Sequence, residues 1–269
     1  MSRRQPERRP PQSIDPTVPN VARMHNYLLG GKDNFAADRA AAEEALRLNP
    51  AAALCARANR AFMARAVRFA AQAGVLQFLD LGTGLPAVDN VHEVAQNIEP
   101  DARTVYVDYD PIVAQHGRAL LATDDRTVMR EGDLRDPEAI LADASNYLDF
   151  NKPVCLLLVA SLHFVTAAED PYQIVKRLMR VTRPGSFLVI SHVIETKVTL
   201  AAMAAYQRAS APVTLRTVAQ VRRFFTAADA DLVDPGLVRV PLWHAGPDDP
   251  HAESDAAGVD FVGGVGRKT

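Results

Sequence analysis

From Val75 onward, short apolar runs alternate with stretches of helical spacing, and this alternation limits the chain to few folds. The runs "VLQFLDL", "RTVYVD", "TVMRE", "PVCLLLVA" and "SFLVIS" have the length of strands. Between the first two, over residues 86–98, Val88, Val91, Ala95 and Ile98 recur on one helix face. Strands joined through helices pair in parallel, because each crossover returns the chain to the edge from which it started. The pattern predicts an α/β fold with a doubly wound sheet over residues 75–269. An alanine-rich helix is expected near residues 199–208, and another ending at Phe224 and Phe225. Two later strands, "GLVRVPLW" and "DFVGGVG", are expected to close the chain.

Helices come before any strand. In "NVARMHNYLL", Val21, Met24 and Leu28 share a face, Asn20 is placed to cap and Gly30 to stop the helix. A second helix is expected over residues 34–48, and a third with Leu54, Ala58, Phe62 and Phe69 on one side and Gly74 closing it. Residues 20–74 are thus expected to form a helical cap. Ahead of them, residues 1–19 begin "MSRRQPERRPPQS", with almost nothing to bury, and are expected to be disordered. A nucleic-acid arm is the sharper reading of those arginines, but a net charge of -2 argues against a chain built to neutralise phosphate. Two cysteines, Cys55 and Cys155, make neither a disulfide framework nor a zinc site, which suggests a reducing cytoplasm. No apolar run reaches membrane length, and no secretory signal is visible.

The chemistry is expected where the first strands end. "FLDLGTGLP" carries Asp80, then Gly82, Thr83 and Gly84 in a tight turn, where small residues let a ligand approach the backbone. The second strand ends in "VYVDYDP", so Asp108 stands about 26 residues after Gly82, where an acid can accept bonds from both hydroxyls of an adenosine ribose. Tyr109 flanks it, and Asp110 either contacts the ligand or caps the next helix. "EGDLRDP" brings Asp133 and Leu134 to the same rim, placed to receive an adenine ring, with Asp136 as a helix cap.

These segments, with "IVKRLMRVTRPGSFLVISH" after them, resemble the successive motifs of class I S-adenosylmethionine-dependent methyltransferases. "VARMHNYLLGGKDNFAADR", "GLVRVPLWH" and "GGVGRK" narrow the resemblance to the actinobacterial S-adenosyl methyltransferase family, once described as a domain of unknown function. It implies a Rossmann-like, seven-stranded sheet and S-adenosyl-L-methionine as cofactor. By the same resemblance Asp80, Gly82 and Gly84 hold the methionine end, Asp108 the ribose, and Asp133 with Leu134 the adenine. Pro86 stands where the family's glycine loop has its third glycine, so the path of this loop differs. "ASLHF" lacks the Asn/Asp-Pro-Pro-aromatic signature of amino-group methyltransferases acting on nucleic acids, which points to a small-molecule acceptor.

"HNYLLGGKDNF" fails as a phosphate loop, since Asn26 and Asp33 stand where a glycine and a hydroxyl are needed. The expectation is instead a lid over the rim, with Gly30 and Gly31 allowing close approach and Tyr27, Lys32 and Asp33 facing the cofactor or acceptor. Its alternative is a plain helix stop followed by a cap at Asp33 or Asn34. His163 and His192 follow the fourth and fifth strands and are candidate general bases, with hydrogen-bonded strand-end histidines as the plainer account. His192 and Glu195 lack a third ligand for a metal, and none is expected. Two rivals stand beside methyl transfer. One is a nicotinamide-dependent oxidoreductase using Ser161, Tyr172 and Lys176, and the other a cofactor-binding protein without catalysis.

Overall fold

The computed structural model describes residues 15–122, 124–206, 209–247 and 249–269, so the expected tail lies mostly outside the described residues. Three helices precede the first strand: α1 (Val21–Leu28), α2 (Ala36–Leu48) and α3 (Ala52–Gln72). Asn20 caps α1, its side-chain oxygen accepting from the amides of Ala22 and Arg23 at 2.8 and 3.2 Å. Neither Asp33 nor Asn34 caps α2. Asp38 reaches back from inside that helix and accepts from the Phe35 amide at 2.7 Å. After α3 the Val75 amide returns to the Ala70 carbonyl at 3.1 Å, a turn that closes around Gly74.

Strands and helices then alternate as β1 (Gln77–Leu81), α4 (Val91–Gln96), β2 (Arg103–Asp108), α5 (Pro111–Leu120), β3 (Thr127–Glu131), α6 (Pro137–Ala144) and β4 (Cys155–Val159). They continue through α7 (Pro171–Arg180), β5 (Phe187–Val193), α8 (Lys197–Tyr206), α9 (Val218–Ala227), β6 (Ala230–Leu232), β7 (Val238–Arg239), α10 (Ala252–Gly258) and β8 (Phe261–Lys268). The sheet order is β3-β2-β1-β4-β5-β8-β6, with β7 also paired to β8. The first five strands are parallel, and β8 runs antiparallel to its partners. The sheet therefore has eight strands among the described residues where the resemblance implies seven. The additional strand is β6, three residues paired to the end of β8, while the expected strand "GLVRVPLW" survives only as β7 and stops at Arg239, because Pro241 lies in a 3-10 turn over Val240–Leu242. Short β6 and β7 together occupy the edge beside β8.

Side chains alternate across the sheet and divide the core in two. Phe78, Tyr106, Leu157 and Val189 pack on one face with α3, α4 and α5. Leu79, Val107, Leu156 and Leu188 pack on the other with α6, α7 and α9. A third cluster joins Met24 and Leu28 of α1 to Ala42 of α2 and Ala56 of α3, with Tyr206 of α8 against it. The helix expected over residues 86–98 is shorter, since Asp89 sits at φ +57 and Asn90 opens α4 with its amide on Glu93 at 2.8 Å. Among the described residues no helix is long and apolar enough to cross a membrane.

Candidate active site

Parallel strands that share a direction present their carboxyl ends along one rim, and a single cavity opens there. In sheet order its floor runs from Asp133 after β3, through Asp108 ending β2 and Asp80 in β1, to Ser161 after β4 and Val193 ending β5. The opposite wall comes from α1, α3 and α8, through His25, Arg60 and Met203 among others.

The glycine loop is fixed from both ends. The Gly82 amide donates to the Val107 carbonyl at 2.8 Å, and the Gly84 amide donates to Asp108 Oδ2 at 2.9 Å. Asp108 Oδ1 accepts from the Asp110 amide at 3.0 Å. Each oxygen of Asp108 thus spends one acceptor position on the protein and keeps another. Gly82 lies at φ +78, and a Cβ there would stand 2.6 Å from Ser161 Cβ. Because that neighbour is tied directly to backbone, it cannot swing away. Gly82→Ala is expected to cost about 1–3 kcal/mol of stability, visible as a lower melting temperature.

Burial dominates the electrostatics of the rim. It pushes Asp80 up to about 7, with Asp108 adding to the rise and Arg60 opposing it. It pushes Asp108 up to about 6 against the lowering effect of the Asp110 and Gly84 amides. Thr83 lines the cavity and donates to the Asp80 carbonyl at 3.2 Å. Tyr109 also lines it, and its hydroxyl lies 3.4 Å from Ser210 Oγ. Asp133 and Leu134 are at the same rim, Asp133 accepting from the Arg135 amide at 2.9 Å. Asp110 caps α5, accepting from the Ile112 amide at 2.7 Å, and its other oxygen accepts from the Asn20 side chain. Asp136 caps α6.

The lid residues need correction. Ala22, His25, Asn26 and Leu29 line the cavity, a spacing of three, four and seven residues that marks one face of α1. Tyr27 falls on another face, and its hydroxyl donates to Glu43 of α2 at 3.0 Å. Lys32 and Asp33 are exposed and outside the cavity lining. Gly31 does allow a close approach, but to Asn26: a Cβ at Gly31 would stand 2.3 Å from that side chain.

The two histidines also separate. His192 is fully buried and absent from the cavity lining; Nδ1 lies 2.6 Å from the Val193 carbonyl and Nε2 lies 2.8 Å from the Arg216 guanidinium. With both nitrogens engaged, and burial pushing it down to about 3, His192 is a packed strand-end residue and not a base open to substrate. His163 lines the cavity, and its buried Nδ1 has no hydrogen-bond partner among the described residues. Burial first, then His192 and Arg216, hold it well below the ordinary histidine range. Arg216 braces this segment by donating to the Leu162 and Val165 carbonyls at 2.9 and 2.8 Å. Tyr172 stacks on Phe224 with centroids 4.5 Å apart, Lys176 is exposed, and neither reaches the cavity, so the dehydrogenase trio does not assemble. Among the described residues no group of three His, Cys, Asp or Glu side chains is gathered to hold a metal.

Arg60 and His25 are among the cavity residues that escaped the sequence reading. Arg60 of α3 is half-buried, donates to the Val88 carbonyl and Asn90 Oδ1 at 2.9 Å each, and acts electrostatically on Asp80. His25 is pushed down to about 4 by burial and by Arg60. The helical spacing of its neighbours was the one signal that marked His25.

A family model described as S-adenosyl methyltransferase matches residues 7–269. The chain belongs to the S-adenosyl methyltransferase family. It is an S-adenosylmethionine-dependent methyltransferase, and S-adenosyl-L-methionine is its cofactor. Among solved structures, this S-adenosyl methyltransferase is similar to a DUF574-family protein from Streptomyces avermitilis, at 38% identity and a TM-score of 0.88, over 94% of this chain and 98% of that one. It is likewise similar to a provisionally assigned methyltransferase from Thermobifida fusca, at 40% identity and a TM-score of 0.84, over 94% of this chain and 96% of that one. No curated protein matches it.

Proposed function

We propose that the enzyme moves a methyl group by in-line displacement to a small-molecule acceptor, with the cofactor held along the β3-β2-β1 part of the rim. The observation that carries this reading is the run of carboxylates Asp133, Asp108 and Asp80 along three adjacent strand ends inside one cavity. S-adenosylmethionine supplies a methyl group on a sulfonium, together with a ribose diol, an adenine and an amino-acid end. The lining fits each part. Asp108 keeps acceptor positions for two ribose hydroxyls, and open space lies beside Gly84. Asp80 suits the ammonium and Arg60 the carboxylate of the amino-acid end, while Leu134 and Asp133 suit the adenine face and amino group. Thr83 and Tyr109 complete the walls, and Asp110 acts indirectly through its bonds to Asn20 and α5.

Acceptor and methyl must then meet toward β4 and β5, where holding the two in line supplies on the order of 7–11 kcal/mol. His163, neutral and on the cavity wall, is placed to orient a hydroxyl acceptor by a hydrogen bond. We assign residues 20–74 to covering the cavity and residues 75–269 to the methyltransferase domain.

Calorimetry tests the reading: S-adenosylhomocysteine should bind and NADH should not. The pH dependence has a definite sign. Asp80 and Asp108 have raised values, so the folded protein holds more protons than the unfolded chain between the ordinary carboxylate range and about 7. Their contribution to stability is therefore full at low pH and is lost as pH rises through about 6 and about 7. A ligand that presents an ammonium favours the ionised forms. Affinity for S-adenosylhomocysteine should rise with pH from 5 to about 7, by at most ~10-fold per unit for each linked proton, and then level off. Flat affinity across that range would contradict a role for these carboxylates in binding.

A further inference from the structure

The half of the cavity beyond the carboxylate rim has a different character. Toward β4 and β5 its walls are supplied by Met63, Val193, Met203, Leu215 and Phe261. Most polar groups among them are uncharged; Arg60 reaches them too, its Nη1 3.8 Å from Met63 Sδ, and is assigned above to the carboxylate of the cofactor. His25 and His163 face this space, and burial keeps both neutral near pH 7. Cys55 is pushed up by burial, and Tyr206 is pushed up to about 12. One carboxylate stands at the edge, Asp260, and it is already engaged by Arg239 at 3.1 Å and by the Thr196 hydroxyl at 3.2 Å.

An ionic ligand would be desolvated here, with no counter-charge left free among the described lining residues once the cofactor engages Arg60, Asp80 and Asp108. Resting on the cofactor reading above, we propose that this half binds an uncharged, largely apolar acceptor bearing a hydroxyl, held by hydrogen bonds to the neutral pair His25 and His163. The apolar walls supply affinity and the two imidazoles fix the hydroxyl. The roof of α1 therefore takes part in choosing the acceptor, through His25 and not through Tyr27 or Lys32.

The test uses the full chain loaded with S-adenosylhomocysteine and three probes of one shape: 2-naphthol, 2-naphthoate and 2-naphthylmethylammonium. Calorimetry should give 2-naphthol the highest affinity of the three, by at least about tenfold. His25→Ala should weaken 2-naphthol about fivefold, the loss of one hydrogen bond, and leave S-adenosylhomocysteine affinity unchanged. Tighter binding of either charged probe, or no binding of 2-naphthol, overturns the inference while the cofactor reading stands. Failure of S-adenosylhomocysteine itself to bind overturns the cofactor reading and the inference with it.

Discussion

Asp108→Ala is expected to weaken S-adenosylhomocysteine binding by about 100- to 10,000-fold in calorimetry. The magnitude follows from losing two charge-assisted hydrogen bonds to the ribose, each on the order of 1.5–3 kcal/mol. The variant also frees the amides of Gly84 and Asp110, which the carboxylate now receives at 2.9 and 3.0 Å. Thermal melting without ligand separates the two effects, because loop anchoring appears there and ribose binding does not. A variant that melts near the wild-type temperature and still binds with unchanged affinity would remove Asp108 from the site.

Asp38→Ala is expected to lower stability by about 3–5 kcal/mol, equivalent to roughly 6–20 °C in melting temperature. Asp38 is fully buried and gathers three donors: the Asn20 amide at 2.8 Å, the Phe35 amide at 2.7 Å and Arg23 Nε at 2.7 Å. Removing it leaves the buried Arg23 with one remaining acceptor, the Val18 carbonyl at 3.0 Å. It also loosens Asn20, whose side chain joins the start of α1 to Asp110 at the strand rim. Cofactor affinity should fall along with stability, since Asn20 lines the cavity and holds Asp110 at the rim. Adding Arg23→Met to Asp38→Ala should recover part of the lost stability, because the unpaired charge is gone. Melting of both variants checks this, and no recovery in the double variant would argue that the ion pair is not the source.

Most of the sheet was legible because a strand needs only a short run rich in apolar and β-branched residues, and the chain supplies five before the last helices. The acidic rim was legible for a related reason. Asp80, Asp108 and Asp133 each lie at or beside the carboxyl end of such a run, so their shared location follows from parallel pairing. What failed depends on neighbours remote in sequence. Tyr27 and His25 sit two residues apart in one helix, and only the packing of α2 against α1 decides that Tyr27 turns to Glu43. His192 and His163 look alike as strand-end histidines, yet Arg216, 24 residues beyond His192, occupies Nε2 of one and leaves Nδ1 of the other free. Arg60 reads as an exposed arginine on an alanine-rich helix until α3 meets the glycine loop. The helix expected from residue 86 begins late, because the onset of α4 is set by the positive φ of Asp89 and the bond from the Asn90 amide to Glu93.

A crystal structure of the protein with S-adenosylhomocysteine bound tests the central claim most directly. The account predicts both ribose hydroxyls within ~2.6–3.0 Å of the Asp108 carboxylate, with the adenine beside Leu134 and the sulfur directed toward His163. Density for the nucleoside elsewhere, with Asp108 still bonded only to the Gly84 and Asp110 amides, would contradict it.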